Sequence, residues 1–243
     1  MPLSQPVTAL SQPETELWLH EAQRRFLDCQ TAFKAFCGGR GAGKSWIAAY
    51  DLLKRALPDR TYMLVSPTYK ALIRSDLRTF FQLARQLEIL RDFRKVDMVA
   101  TLVNGAEVIC ASADDPETLR GPNLSGVAMS EASLMVADAY YICIASLREA
   151  GEMGWLTACF TPKGKSHWTY QVFGMGRPDT ELVMAATWEN PFLAQEVYDK
   201  LRLQYGETMR ARQELGGEFV QLEGAEWPLE YFPPSIWFDA WPG

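Results

Sequence analysis

Eight residues, Gly38-Gly39-Arg40-Gly41-Ala42-Gly43-Lys44-Ser45, carry the clearest chemistry in the 243-residue chain. They complete a G-x-x-x-x-G-K-S pattern, in which glycines let successive backbone N–H groups turn inward as an anion nest. The following helix adds the partial positive charge of its N-terminus. Lys44 supplies a mobile cation for the β- and γ-phosphates of a nucleotide. The Ser45 hydroxyl is a hard oxygen donor of the kind Mg²⁺ takes. A short apolar run, Ala32–Cys37, precedes the loop and an apolar-periodic segment, Lys44–Leu57, follows it. That strand–loop–helix context marks a nucleoside triphosphate site.

Activating water needs a carboxylate near the γ-phosphate, and in open α/β sheets ligands gather at the C-terminal tips of strands. Gly126-Val127-Ala128-Met129-Ser130-Glu131 offers such a tip. There Glu131 orients and deprotonates the attacking water, or else it is an acidic residue favoured by a helix dipole. Ser130 stands where an acidic residue usually precedes the glutamate. Its hydroxyl reaches Mg²⁺ only through water and brings no charge, so Ser130→Asp is expected to keep or raise Mg²⁺ affinity. A further tip, Thr161-Pro162-Lys163-Gly164, presents a hydroxyl able to report the γ-phosphate, or is simply a turn.

The elements that position these residues follow from periodicity. A helix is expected over about Glu16–Cys29, where Leu17, Trp18, Ala22, Phe26 and Leu27 share a face. Thr61–Pro67 is a strand closed by proline, and Tyr69–Leu87 is a long amphipathic helix. Two segments, FRKVDMVATLV and AEVICAS, flank Asn104-Gly105, which predicts a hairpin with a type I′ turn. Further strands are expected at Val127–Met129, Trp155–Phe160 and Glu181–Thr187. Short apolar strands alternating with helices indicate an α/β fold with a largely parallel, helix-covered sheet. The expected organisation is a flexible arm over 1–14, a core over 15–190 and a helical lid or linker over 191–243.

Composition bounds the function. Apolar residues make up 48% and charged residues 22%, an ordinary globular balance that excludes disordered and fibrous classes. The net charge of −6 argues against a simple nucleic-acid-binding module. Its distribution is uneven: Asp51–Lys95 holds ten basic against five acidic residues, and Glu196–Gly243 four against nine. The basic segment either faces a polyanion or is a solvated helix face. Five scattered cysteines without a C-x-x-C, and two histidines, make a zinc site unexpected. No secretory signal opens the chain, and its longest mostly apolar stretch, Met135–Leu147, is shorter than the roughly 18 residues a membrane span needs. A soluble cytoplasmic protein is expected.

In order and spacing, the set resembles the ATPase domain of large terminase subunits, the DNA-packaging motors of tailed bacteriophages. The resemblance covers about residues 15–227. It runs from the Gln23-containing helix and GGRGAGKS through LVSPTYKALIRSDLRTFF, LRGPNLSGVAMSEAS and FTPKG to WENPFL and LGGEFVQLEGAEW. It implies a P-loop NTPase of the ASCE (RecA-like) class, hydrolysing ATP with Mg²⁺ to translocate double-stranded DNA into a procapsid. The implied partners are a portal protein, a small terminase subunit and further copies in a ring, a pentamer by expectation, in the host cytoplasm. Gln23 matches the adenine-reading glutamine. Arg40 matches a γ-phosphate sensor, unless it simply binds phosphate. Arg120, on the Gly121-Pro122-Asn123 loop, matches a finger offered to the neighbouring subunit, unless it is a surface salt bridge. Thr161 matches the motif that couples hydrolysis to movement. Full-length relatives add an RNase H-like nuclease with several metal-binding aspartates. Only Asp239 lies in the last forty residues, so no nuclease is expected here, and a shortened form of a longer chain is the favoured account. Two other readings stay open: an ATP-binding, ring-forming domain silenced by Ser130, and another P-loop translocase or helicase, although no helicase motifs follow residue 170.

Overall fold

The computed structural model describes residues 17–220. The arm expected over 1–14 and the Pro-rich end beyond 220, with Asp239 and the GAEW block, lie outside them. Helix α1 (Glu21–Asp28) starts later than expected, because the Gln23 side-chain oxygen accepts the His20 N–H at 3.3 Å and sets the first turn there. Strand β1 (Phe33–Gly38) enters the glycine loop, and α2 (Lys44–Lys54) leaves it.

After β2 (Thr61–Ser66), the predicted long helix is continuous but not uniform. It opens as α3 (Tyr69–Ala71), widens into one π turn (Leu72–Asp76) and resumes as α4 (Leu77–Gln86). Thr68 caps its start by accepting the Ala71 N–H at 3.1 Å. Lys70, Arg74, Arg78 and Arg85 are exposed along it, so much of the basic segment is a solvent-facing helix side.

The expected antiparallel hairpin forms across Asn104-Gly105, but its first arm and its turn differ from expectation. The first segment splits into β3 (Leu90–Arg94) and β4 (Val99–Leu102), antiparallel to each other, before β5 (Glu107–Ser112). Of Asn104 and Gly105 only Gly105 has a positive φ, at 85°. The Leu102 N–H donates to the Ala106 carbonyl at 2.8 Å, closing a three-residue loop instead of a type I′ turn. The Asn104 amide nitrogen donates to the Ala56 carbonyl at 2.8 Å, and its oxygen accepts the Ala106 N–H within the loop at 3.1 Å.

The chain continues through β6 (Gly126–Ser130), α5 (Ala137–Ser146), β7 (Trp155–Phe160) and β8 (Thr180–Ala185), then α6 (Gln195–Tyr205) and α7 (Met209–Glu214). The eight strands form one sheet in the order β3-β4-β5-β2-β6-β7-β1-β8, parallel except at β3 and β4. Both faces of the central strands are covered, which is why they read as mostly apolar runs. On one face Phe26, Ile47, Leu52, Phe80 and Leu83 pack together; on the other, Leu156, Phe160 and Phe173 pack with Ala139, Tyr140 and Cys143 of α5. All five cysteines are free thiols, and Cys37, Cys110, Cys143 and Cys159 are buried.

Strand order places the chemistry. Strand β7 lies between the loop-bearing β1 and the carboxylate-bearing β6. Cys37 pairs with Phe160, Ser130 with Cys159, and Val65 with Met129. Gly38, Thr161, Ser130 and Ser66 therefore stand side by side at one end of the sheet.

Candidate active site

The loop between β1 and α2 is built from backbone. Gly43 takes φ 84° at the N-cap of α2, and a Cβ there would press on the Gln23 amide nitrogen at 2.6 Å. Only glycine fits both demands. Three of the loop's carbonyls are held by side chains from outside it. Thr187 Oγ1 donates to the Arg40 carbonyl at 2.7 Å, and Asn190 Nδ2 donates to that of Gly41 at 2.6 Å. His20 Nε2 donates to the Ala42 carbonyl at 3.1 Å. Leu193 packs over Gly41. The WENPFL stretch thus clasps the loop, a use that sequence reasoning did not assign to it.

Lys44 is buried, and its Nζ donates to the Gly39 carbonyl at 3.0 Å and lies 3.7 Å from Glu131 Oε1. Glu131 follows the β6 tip in a left-handed conformation, φ 50° and ψ 43°, unusual for a residue with a side chain. Lys44 and Glu131 line a cleft of about 460 Å³ together with Arg40, Thr161, Lys163 and Gln213. Gln213, from α7, is 7% exposed, and its Oε1 has no hydrogen-bond partner among the described residues.

A second cavity of about 350 Å³ opens beside Gly43, lined by Gln23, Trp18, Trp46 and Phe192. Its aromatic walls suit a flat heterocycle, and the Gln23 amide offers hydrogen-bond polarity at its edge. The two cavities border the same glycine loop, one lined by charged side chains and the other largely by aromatic rings.

The two arginines are held by neighbouring carboxylates. Arg40 Nε donates to Glu214 Oε2 at 2.7 Å, which raises the Arg40 pKa. Arg120 pairs with Glu117, Nε to Oε2 at 2.5 Å, with both side chains exposed. Arg120 does not join the phosphate cleft but borders a separate surface hollow with Asp138 and Tyr141. Within one chain the salt-bridge account of Arg120 is the observed one, and a role toward another subunit needs that pair to open.

Ser130 is buried at the β6 tip, and its hydroxyl donates to Asp76 Oδ1 at 2.8 Å. The Ser66 hydroxyl donates to the other carboxylate oxygen. Burial pushes the Asp76 pKa up, while the hydroxyls of Ser66, Ser130 and Ser45 act in the opposite direction. Asp76 was missed because in sequence it is one of five acids scattered among ten basic residues. Its presence changes the expectation for Ser130→Asp. The new carboxylate would face Asp76 in one buried site, and the two charges would repel. The hydroxyls of Ser45 and Ser130 and the Asp76 carboxylate are all hard oxygens, a donor set that fits Mg²⁺.

Comparison with known proteins finds relatives in sequence and in fold. A family model described as "Terminase large subunit, T4likevirus-type, N-terminal" matches residues 35–232. The large terminase subunit of Thermus virus P23-45 is 26% identical over 221 residues, covering 76% of this chain and 45% of that protein. The chain therefore spans under half the length of that relative. The large terminase ATPase domain of Thermus phage P74-26 superposes with a TM-score of 0.65 at 26% identity, covering 84% of this chain and 94% of that one. A large terminase from a thermophilic bacteriophage, solved with ADP, gives a TM-score of 0.74 at 16% identity over 83% of this chain and 54% of that one, a likeness of fold.

Proposed function

The chain belongs to the N-terminal ATPase family of large terminase subunits, and from that premise we propose that it hydrolyses ATP to drive double-stranded DNA into a procapsid. The observation that carries this reading is the convergence of Lys44 and Glu131, 3.7 Å apart, on a cleft floored by the glycine loop. The loop N–H groups and Lys44 bind the phosphates, and the base enters the aromatic cavity against Gln23. Glu131 orients the attacking water and accepts its proton. Arg40, once released from Glu214, neutralises charge on the transferred phosphoryl group. Thr161, at the β7 tip, reads the γ-phosphate and passes its loss to the sheet. Ser45, with Ser130 beside it, would hold Mg²⁺, which when bound would neutralise further phosphate charge.

Gln213 and Glu214 tie this site to the C-terminal helices, the expected lid over 191–243. That arrangement gives hydrolysis a mechanical outlet. Double-stranded DNA, a portal protein, a small terminase subunit and further copies of the chain in a pentameric ring are the proposed partners, in the host cytoplasm.

Steady-state phosphate release with double-stranded DNA tests the reading. The wild type should turn over ATP, Lys44→Ala should lose nucleotide binding, and Glu131→Ala should bind but not hydrolyse. Equal turnover in well-folded Lys44→Ala would refute the site. ATP bound but never hydrolysed by the assembled wild type would favour the silent, ring-forming reading.

A further inference from the structure

Asp76 is 5% exposed and ends the single π turn of the helix that follows β2. π turns of this kind recur at functional sites. Both carboxylate oxygens accept hydroxyl protons, one from Ser66 and one from Ser130 at 2.8 Å. The Ser45 hydroxyl, at the start of α2, is close enough to favour its ionised form. Two of the three serines are those expected at the metal site from sequence alone. Among the described residues no Lys, Arg or His forms an ion pair with Asp76.

That absence contrasts with Asp51, the other buried aspartate of this face, which has both Lys34 and Arg55 within 4 Å. A carboxylate out of water needs a compensating positive charge, and hydroxyl dipoles supply only part of it. Mg²⁺ takes one or two carboxylates together with nucleotide phosphates, and Ser45 already leads from the phosphate loop to Asp76.

We propose that Asp76 is the anionic anchor of the divalent-cation site, supplying from the helix after β2 the carboxylate that the β6 tip lacks at Ser130. The charge missing from one strand tip is restored through space from the helix that follows the neighbouring strand. The inference rests on reading the cleft as an ATP site. It goes further by identifying which residue confers the Mg²⁺ requirement and by making Ser130 a positioning residue for Asp76. A purely structural role, tying β2 and β6 to the helix, predicts lost stability and an unaltered response to Mg²⁺.

The test is nucleotide binding with and without the metal. A fluorescent ADP is titrated into wild type and Asp76→Asn, in EDTA and in Mg²⁺, alongside thermal denaturation. Asp76→Asn should match the wild type within about twofold in EDTA and lose about 10–100-fold in apparent Mg²⁺ affinity, the range seen when groups that support a metal are removed. A folded Asp76→Asn with the full Mg²⁺ response overturns the proposal while leaving the nucleotide site intact. A wild type that binds nucleotide in neither buffer sinks the ATP reading and this one with it. A second measurement does not depend on how the variant folds. Wild-type protein carrying ¹³C-carboxyl aspartate is loaded with Mn²⁺ and ADP and examined by electron–nuclear double resonance. A ¹³C coupling from a carboxylate at the metal supports the proposal, and its absence overturns it.

Discussion

Lys34 on β1 and Asp51 on α2 form a buried pair beneath the phosphate loop, and Lys34→Met tests what it contributes. The Lys34 Nζ lies 2.9 Å from Asp51 Oδ1, donates to the Phe26 carbonyl at 3.1 Å and sits 4.3 Å from the centre of the Phe26 ring. The two side chains are 2% and 1% exposed. Removing one member of a buried pair typically costs about 3–5 kcal/mol, mostly because the survivor is left uncompensated. Here Asp51 keeps a hydrogen bond from Thr157 at 2.6 Å and the Arg55 guanidinium at 3.6 Å, itself 29% exposed. Those survivors place the expected loss near the lower end, about 3 kcal/mol. For a domain of this size that corresponds to a fall in Tm of about 6–12 °C. Urea denaturation followed by circular dichroism, with calorimetry for Tm, measures both. Lys34→Met/Asp51→Leu should recover most of the loss, since apolar replacement of a whole buried pair is often neutral. Nucleotide affinity should hold in both variants, because neither side chain reaches the cleft. A loss below about 1 kcal/mol in Lys34→Met would refute the reasoning and return the pair to the energetics of exposed salt bridges.

Gly39→Ala would drive a methyl group into the Leu215 carbonyl and the Thr187 hydroxyl, so the clasp over the loop must open. Nucleotide affinity should fall by at least about tenfold, the equivalent of 1.4 kcal/mol, and a titration showing near wild-type affinity would contradict the clasp. Burial lowers the pKa of His20, and that of His167, below 6.5. The unfolded chain therefore takes up protons first as pH falls through about 6.5, and stability should decline from there until the folded-state pKa is passed. His20→Gln should flatten that decline in Tm against pH, and an unchanged slope would dismiss His20 as its source. Arg120→Ala should bind ATP normally yet lose turnover when assembled, and mixing it with Glu131→Ala should restore part of it. Confirmed mixed rings without any rescue would remove Arg120 from the mechanism.

The glycine loop over residues 38–45, between a strand and a helix, was legible because its signal is local. An anion nest needs only consecutive backbone groups, glycines that permit the turn, and a lysine and a serine at fixed steps. Strands buried on both faces were legible for a similar reason, since Thr61–Ser66 and Trp155–Phe160 are mostly apolar runs whose composition demands cover. Local signals misled where tertiary partners competed. Asn104 sits in a three-residue loop instead of a type I′ turn, its side chain bonding both the Ala56 carbonyl and the Ala106 N–H, and α1 began only where Gln23 could cap it. The order of the strands, with β7 between the loop and Glu131, could not be read from periodicity, because alternation shows that a strand is buried and not which neighbour buries it. Asp76 is the sharpest case. In sequence it is a helical aspartate 54 positions from Ser130; in the fold the two are hydrogen-bonded. Parallel strands joined by long crossovers bring distant tips together, so a carboxylate absent from one segment was present in another. Only three-dimensional packing could show it there.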